Sequence, residues 1–422
     1  MRSLLFIAYM YPPFANSGTR RSLEFANHLP DHGWRPTVLT LTEPKPRDRD
    51  DRLLDEVRAG TRVLRAGHAS ERWARRLSAP VPTQYRERVA QGLAWRLERM
   101  WGAVPDDAAS WRGEAVAAAL RAHRETPFDA ILATGSPWTS LLVARDVAER
   151  TGLPYVLDYR DQWRPSGTVA WDTESRLQRW FSPRLEKRAA AQAAAVVTVT
   201  PTLATALTKD TGRDDIECIT NGFEPKDFAN LPPAPRDGLV RVSYTGVWRP
   251  GYGPDLLYLA VQRLKEAGVP GLERLRVDTA GFEPGPAAKH GVQDLIREHG
   301  RVPHSTALRL MTDSDMVFLP VSQGFYALTS LPGKLFEYLG SGRPILAATL
   351  PDSEVARVIG DAGGGRQIMP DDVESATAVL ADLCAGRSLT GFSAQRPERL
   401  ASYTRASTAK QLAGILDRVT RR

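Results

Sequence analysis

The segment Leu331–Gly340 places a lysine near the start of a predicted helix, where a positive charge is unfavourable. Pro332 is typical of the first helical position and Gly340–Gly342 of a helix end, so Lys334 falls in the first turn. The N–H groups of that turn already carry about half a positive charge. A bound anion would interact favourably with these N–H groups and with the ammonium, as phosphate commonly does. The alternative is a solvated lysine, or one paired with Glu337.

A second pattern that would attract an anion follows the first predicted strand. Gly18 lies where this strand turns into a predicted helix, and Arg20 and Arg21 follow it. A glycine at such a turn lets a ligand approach the backbone, and the arginines favour a negative charge. Alternatively, Gly18 only makes the turn.

Charged residues also follow a buried strand in the middle of the chain. Asp158, Arg160 and Asp161 come at the end of the predicted strand Tyr155–Asp158, and Ser136 follows the strand before it. Ligands of parallel sheets bind at carboxyl ends of strands, so these residues could orient a substrate or act as a general base. The alternative is a structural Arg–Asp pair.

Metal binding is not expected. Asp313 and Asp315 form an Asp-x-Asp pattern, but the pattern closes a predicted helix before a buried strand, a position typical of capping and turns. The histidines have no ligand spacing, and Cys218 and Cys384 are far apart. We therefore predict neither a metal nor another cofactor.

Composition limits the class of protein. The chain has 422 residues, a net charge of +7 and two cysteines. It contains no zinc-finger spacing, RNA-binding signature or helix-turn-helix pattern, so nucleic acid is not an expected partner. The first apolar run meets Pro12-Pro13 and is typical of a buried strand, and Ala189–Val199 is too short to span a bilayer. We expect a cytoplasmic protein, or one peripheral to the inner face of the membrane.

Short apolar runs alternate with helical patterns along the chain, which predicts parallel sheets covered by helices on both faces. The proline-rich stretch Glu224–Gly238 resembles an interdomain linker. We expect an α/β protein with two doubly wound domains. A helical stripe near the end should pack on one of them: Leu412, Ile415, Leu416 and Val419. The predicted strands are 4–9, 36–41, 130–134, 155–158, 195–200, 240–246, 275–280, 316–320, 344–348 and 366–369.

The segment 71–101 departs from this alternation. It is rich in arginine, and Tyr85, Val89, Leu93 and Leu97 recur every four residues among three tryptophans. A basic helix that carries tryptophan can lie on an anionic membrane. The alternative is that the stripe packs on its own domain and the arginines are solvated.

Several motifs occur in a fixed order over nearly the whole chain. They are PPF…SGTRR near the start, PYVLDYRDQW at 154–163, ITNGFEPKDF at 219–228, SYTGVW at 243–248, DSDMVFLP at 313–320 and LPGKLFEYLGSGRPIL at 331–346. In this succession the chain resembles retaining nucleotide-sugar glycosyltransferases of the GT-B fold, in the large family four. The resemblance implies two Rossmann-like domains that face each other across a cleft, with a C-terminal helix packing back. It also implies an acceptor-binding domain at 1–225, a linker at 226–238, a nucleotide-sugar-binding domain at 239–395 and a helical tail at 396–422.

The resemblance assigns roles to individual residues. Lys334 and the N–H groups near Gly333 would hold the diphosphate, with Arg249 as a further cation, and Glu337 would receive the ribose hydroxyls. The predicted donor-binding residues are Gly18, Gly246, Val302, Pro303, His304, Leu331, Pro332, Gly333, Lys334 and Glu337. Those predicted to bind the acceptor are Arg20, Ser136, Asp158, Arg160 and Asp161, and the predicted catalytic residues are Lys334, Arg249 and Asp161.

Two positions depart from the family pattern: Thr329 stands where a second glutamate is frequent, and no lysine follows Arg249. The implied activity is transfer of a sugar from a nucleotide diphosphate to an acceptor hydroxyl with retention, without a metal. The acceptor alternatives are a lipid-linked glycan in polysaccharide or glycolipid assembly and a secondary metabolite. Rival hypotheses are a sugar-nucleotide epimerase or hydrolase of the same fold, and a nucleotide-binding protein without turnover.

Overall fold

The computed structural model describes residues 1–45, 48–100, 104–163, 175–234, 237–248, 253–321 and 328–421. They form two compact units: unit 1 is Met1–Thr220 together with Thr408–Arg422, and unit 2 is Asn221–Ser407. The domain boundaries expected at residues 225, 238 and 395 stay predictions.

Unit 1 contains a seven-stranded parallel sheet in the order β3-β2-β1-β4-β5-β6-β7. Its strands are β1 Arg2–Ile7, β2 Trp34–Leu41, β3 Arg62–Ala66, β4 Ala130–Gly135, β5 Tyr155–Tyr159, β6 Ala195–Thr198 and β7 Glu217–Cys218. Its helices are Ser17–His28, Ala69–Leu77, Thr83–Met100, Arg112–Glu125, Thr139–Thr151, Arg176–Gln192 and Pro201–Thr211, with short 3₁₀ turns at Leu29–His32, Asp51–Leu54 and Ala109–Trp111.

Both faces of this sheet are apolar. Successive strand residues point to opposite faces, so Leu5 and Ile7 of β1 join one buried cluster, and Leu4 and Phe6 join the other. A strand covered by helices on both sides must be apolar throughout, which explains the continuous apolar run at the start of the sequence.

Unit 2 contains a six-stranded parallel sheet in the order β10-β9-β8-β11-β12-β13. Its strands are β8 Val240–Thr245, β9 Leu275–Ala280, β10 Ile296–Glu298, β11 Met316–Pro320, β12 Ile345–Ala348 and β13 Gly365–Ile368. Its helices are Lys226–Ala229, Asp255–Ala267, Pro286–Lys289, His304–Thr312, Gly333–Gly340, Glu354–Ala362, Val373–Cys384 and Pro397–Leu400, with 3₁₀ turns at Leu272–Arg274 and Ala401–Tyr403.

The predicted α/β class with two doubly wound sheets is confirmed. In each sheet the strand order reverses at one point, between β1 and β4 in unit 1 and between β8 and β11 in unit 2. Loops after the two strands at such a point diverge to opposite faces and leave a crevice at the carboxyl ends of the strands. Each unit therefore has one topologically favoured position for a ligand.

The last helix, Arg405–Thr420, packs on unit 1. Leu412 and Leu416 are fully buried in the same cluster as Leu4. Asp417 accepts hydrogen bonds from Trp34 Nε1 at 2.8 Å and from Arg2. None of the helices within the described residues combines the length and apolar composition that a membrane span requires.

Candidate functional site

In unit 2, glycines bring the backbone segments after β8, β9 and β10 together at the carboxyl edge of the sheet. The N–H of Gly246 donates to the carbonyl of Ala280, and that of Gly281 to the carbonyl of Gly300, both at 2.8 Å. A Cβ atom on Gly281 would lie 2.5 Å from the carbonyl oxygen of Gly246, and its φ of 110° also favours glycine. The small residues therefore allow three loops to lie in direct backbone contact.

Lys334 extends from the first turn of the helix Gly333–Gly340 to this edge. Its ammonium lies 3.3 Å from the hydroxyl of Tyr244 and 4.5 Å from the centre of that ring. A Cβ atom on Gly246 would lie 2.1 Å from Lys334 Nζ, so only a glycine leaves room for the amine. No side chain within the described residues caps the N-terminus of the helix. The helix thus begins with N–H groups that no side chain of the described residues caps, and the same turn carries the ammonium that lies at Gly246.

Burial changes the acidity of this ammonium. Removal from water disfavours the charged form and lowers the pKa of Lys334 to about 7, while the carboxylate of Glu337 acts in the opposite direction. Because burial disfavours the charged form, an anionic partner would strongly stabilise the ammonium of Lys334. This property distinguishes Lys334 from an ordinary surface lysine.

The helix that carries Lys334 is anchored from both ends. The hydroxyl of Tyr338 accepts a hydrogen bond from the N–H of Thr245 at 2.9 Å, which ties the helix to the end of β8. Asn221 Nδ2 donates to the carbonyl of Leu331 at 3.3 Å, one residue before Pro332. The position of the ammonium is therefore fixed by the surrounding structure.

Glu337 pairs with His304. Glu337 Oε1 and His304 Nε2 are 2.9 Å apart, and the two side chains are 20% and 30% exposed. His304 begins the helix His304–Thr312, after the half-buried Val302 and the exposed Pro303. The structure thus brings most of the predicted donor-binding residues of unit 2 to one region.

Two further residues belong to or adjoin the positions that depart from the family pattern. Arg249, predicted as a phosphate-binding cation, lies outside the described residues. Thr329 is buried, with 8% of its surface exposed.

In unit 1, Asp158 is fully buried in a polar network. Arg21 contacts its carboxylate through two nitrogens, at 2.8 and 3.0 Å, and Thr134 Oγ1 donates to it at 2.8 Å. Arg21 also donates to the carbonyls of Ile219 and Thr220. These contacts correct the expectation that Arg21 faces an anionic ligand, and they favour the structural alternative for Asp158.

Arg160 lies against Gly18. A Cβ atom on Gly18 would be 1.7 Å from Arg160 Nη1, and Arg160 Nε donates to the carbonyl of Gly135 at 2.8 Å. It also donates to the carbonyl of Ser136. The space that Gly18 leaves is thus filled by a side chain of its own unit, which does not support its expected contact with the donor.

The other predicted acceptor-binding residues differ in accessibility. Arg20 pairs with Glu56, Ser136 is half-buried, and Asp161 is exposed just after β5. Ser136 and Asp161 are therefore the predicted residues of unit 1 that the structure leaves best placed for a ligand.

The Asp-x-Asp pattern has structural partners. Asp313 Oδ2 accepts from Arg309 at 2.6 Å, and Asp315 Oδ2 accepts from the N–H of Arg241 at 2.7 Å. Both carboxylates thus lie where the amino ends of β8 and β11 pair, opposite to the edge that carries Lys334. The sequence-based preference for turn and capping roles agrees with these contacts.

Tyr244 is the residue of this site that sequence reasoning did not single out. It lies near the end of β8, where the strand is buried. Its ring and its hydroxyl both contact the ammonium of Lys334. Only its position one residue before the Thr245-Gly246 turn pointed to the site. Its hydroxyl donates to the carbonyl of Val247 at 2.6 Å, which orients the oxygen lone pairs toward Lys334.

Comparison with protein families matches residues 18–222 to the model described as glycosyl transferase 4-like domain. A comparison with curated proteins finds no match. The match thus covers the segment that forms most of unit 1.

Solved structures resemble the chain over its full length. A sucrose-phosphate synthase from Thermosynechococcus elongatus aligns at 13% identity and a TM-score of 0.61, with 99% of both chains covered. A glycosyltransferase from Rickettsia africae ESF-5 aligns at 13% and 0.62, over 99% of this chain and 98% of that one. The Anabaena protein HepE, solved with UDP-glucose, aligns at 14% and 0.58, over 100% and 99%. At these identities the likeness shows the fold, which is GT-B.

Proposed function

We propose that this chain, a glycosyltransferase of the GT-B type whose residues 18–222 belong to the glycosyl transferase 4-like family, transfers a sugar from a nucleotide diphosphate to an acceptor hydroxyl with retention. Unit 2 would bind the nucleotide sugar and unit 1 the acceptor. HepE was solved with UDP-glucose, which makes a uridine diphosphate sugar a reasonable first donor to test.

The observation that carries this proposal is the position of Lys334. Its ammonium, the uncapped N-terminus of the helix Gly333–Gly340 and the Gly246 turn lie together at the carboxyl edge of β8. A diphosphate placed there would receive backbone N–H groups and a cation at once. Glu337, three residues further along the helix, is suited to accept hydrogen bonds from ribose hydroxyls.

The reaction asks for charge stabilisation more than for covalent chemistry. When the sugar–phosphate bond breaks, negative charge develops on the diphosphate, and fixed cations stabilise it more in the transition state than in the ground state. In a front-face transfer the departing phosphate can accept the proton of the acceptor hydroxyl. We therefore propose a mechanism without a metal and without an enzyme nucleophile.

On the acceptor side, Ser136 and Asp161 are proposed to orient the hydroxyl. The segment 71–101 supports a lipid-linked acceptor, because Trp73, Leu77, Tyr85 and Val89 are exposed among arginines. We propose that the protein works in the cytoplasm, at or near the inner face of a membrane, in polysaccharide or glycolipid assembly.

The donor site is tested by thermal unfolding of the protein with UDP, GDP, ADP, TDP and CDP. We expect one diphosphate to raise the melting temperature of the wild type and of Lys265→Ala, a variant of a partly exposed lysine that pairs with Asp294. The rise should be absent in Lys334→Ala. If no diphosphate binds the wild type at millimolar concentration, the proposed donor site is wrong.

Replacing Glu337 by glutamine should weaken binding of the nucleotide by roughly tenfold or more, because hydrogen bonds from hydroxyls to a carboxylate contribute about 1.5–3 kcal/mol. Calorimetric titration measures the change. Asp278→Asn is the matched control, since Asp278 of β9 forms another histidine–carboxylate pair with His299, the residue after β10. A large loss of melting temperature in Glu337→Gln with unchanged affinity would contradict the ribose role.

Nucleotide affinity should fall as pH rises above about 7. Because burial lowers the pKa of Lys334 to about 7, the amine is charged below this pH and increasingly neutral above it. A bound diphosphate restores the charge, so binding above pH 7 takes up a proton and weakens by at most about tenfold per pH unit. Titrations between about pH 7 and about pH 9 avoid the phosphate's own ionisation near pH 6. Lys334→Met should lack this dependence, and an equally steep loss in that variant would assign it to another group.

A further inference from the structure

The helix Arg176–Gln192 of unit 1 presents large apolar side chains to solvent. Leu177, Trp180 and Phe181 are 55%, 54% and 40% exposed. They occupy positions i, i+3 and i+4, so they form one stripe on the helix surface. Ser182 and Glu186 are fully buried on the opposite face. An exposed aromatic stripe on a helix whose other face is packed calls for an external partner.

This stripe is preformed. Ser175 and Gln178 make a reciprocal capping box that fixes the first turn of the helix. The rings of Trp180 and Phe181 meet edge to face at 4.3 Å between centroids. Arg184 stacks on Trp180 at 4.3 Å and donates to its carbonyl oxygen at 2.6 Å. Little conformational entropy would therefore be lost on binding.

The exposed charges on this helix are all positive, although Arg188, two turns beyond Trp180 and Phe181, pairs with Glu149 of a neighbouring helix. The exposed cationic residues of the helix are Arg176, Arg179, Arg184, Lys187 and Arg188, and its one acidic residue, Glu186, is buried. A second copy of the chain docked through the same surface would bring these cations together, which is unfavourable. An anionic partner would neutralise them, and arginine with tryptophan and leucine on one helix is the composition of a membrane-surface helix.

The direction of the helix places the stripe near the carboxyl ends of the strands of unit 1, where a ligand is expected. The hydroxyl of Tyr155, at the beginning of β5, donates to the carbonyl of Ala189 at 2.7 Å, so the end of the helix lies at the amino end of the strand. The first turns, with Leu177 to Phe181, therefore lie toward the carboxyl end of β5, where Asp161 follows.

We infer that the helix Arg176–Gln192 docks unit 1 on an anionic lipid bilayer, with Leu177, Trp180 and Phe181 in the interface and the surrounding arginines on the headgroups. The contact is additional to the one proposed for segment 71–101. The inference rests on the proposed function only where it assigns the contact a role, which is the capture of a lipid-linked acceptor. Bilayer binding itself can be measured without any sugar transfer.

The test is co-sedimentation of the full chain with vesicles of phosphatidylglycerol and phosphatidylcholine, compared with phosphatidylcholine alone. We expect wild type to bind only the anionic vesicles. The double variant W180S/F181S should bind at least about tenfold more weakly, because two interfacial aromatic side chains are lost. Leu259→Ser, an exposed apolar residue of unit 2, should bind like wild type. Both variants change exposed residues and should keep the wild-type melting temperature.

Three results would overturn the inference. In the first, W180S/F181S binds the vesicles like wild type while the double variant W73S/Y85S does not bind them. This result would assign the bilayer contact to segment 71–101 alone. Another is equal binding to neutral and anionic vesicles. The third is a dimer in light scattering that W180S/F181S converts to a monomer, which would identify a second copy as the partner. Transfer to a soluble acceptor, measured in parallel, would stay intact in each case if the proposed function holds.

Discussion

Replacing Lys334 by alanine should lower kcat/KM roughly 30- to 1,000-fold, which corresponds to about 2–4 kcal/mol of lost transition-state stabilisation. The reason is geometric. The ammonium lies in the first turn of the helix Gly333–Gly340, against the Gly246 turn and the face of Tyr244. Charge that develops on a diphosphate leaving at this site would lose the stabilising ammonium. Initial rates with the donor identified by the thermal screen measure the effect.

Two variants make this result interpretable. Lys265→Ala removes a lysine of the same unit that pairs with Asp294 and should leave the rate unchanged. Lys334→Arg keeps the charge in a larger group and should recover only part of the rate, because the amine fits closely against Gly246. A wild-type rate in Lys334→Ala would show that Lys334 does not face the leaving group.

Replacing Arg21 by methionine should destabilise the protein by about 3–5 kcal/mol, because it leaves a buried carboxylate without its cation. The side chains of Arg21 and Asp158 are 5% and 0% exposed. Arg21 also donates to the carbonyls of Ile219 and Thr220, which would lose these hydrogen bonds. Chemical denaturation gives the free energy of unfolding.

The matched control is Arg112→Met. Arg112 contacts Asp146 through two nitrogens at 2.7 and 2.8 Å, but it is more exposed, and Asp146 keeps a second partner in Arg145. We expect a loss of about 1 kcal/mol or less. The double variant Arg21→Met/Asp158→Asn should recover part of the loss, since it removes the unpaired charge. A stable Arg21→Met with weakened acceptor binding would show instead that the pair faces a ligand.

The sequence predicted the central strands and the edge strand β13, and it missed three of the four edge strands. Met316–Pro320 and Leu275–Ala280 were predicted at the observed bounds. The first is a continuous apolar run buried on both faces, whereas the second buries its apolar residues Leu275, Val277 and Ala280 between more polar ones. β3 and β7 lie at the two edges of the first sheet and β10 at an edge of the second. Edge strands are partly solvated, so their polar residues break the apolar pattern that identifies a buried strand.

Side-chain partners were harder to predict than positions. Proline and glycine punctuation predicted a helix start at Pro332, one residue before the observed start at Gly333, with Lys334 in the first turn. His304, by contrast, was not predicted as a partner of Glu337, and Asp158 pairs with Arg21. These pairs join residues 33 and 137 positions apart. Only the folded sheet brings such residues together, and no local pattern encodes the choice among several arginines.

The exposed stripe on Arg176–Gln192 was missed for another reason. Leu177, Trp180 and Phe181 have the spacing of a helix face that packs on a core, which is the usual meaning of that pattern. In the structure the core side of this helix is instead formed by smaller residues, including Ala189 and Ala190. Periodicity identifies an apolar face, but it does not say whether that face is covered.

Because most of the last helix belongs to unit 1, unit 1 is complete only after all of unit 2 has been synthesised. Unit 2 is one continuous piece, Asn221–Ser407, whereas unit 1 needs residues from both sides of it in the sequence. Leu412 and Leu416 fill the core beside Leu4, so the segment 1–220 alone would present an uncovered apolar surface. During synthesis unit 2 can therefore fold before unit 1 is complete, although unit 1 emerges first. For the same reason, unit 2 is the part expected to survive excision, while unit 1 would need residues 408–422 joined back to it.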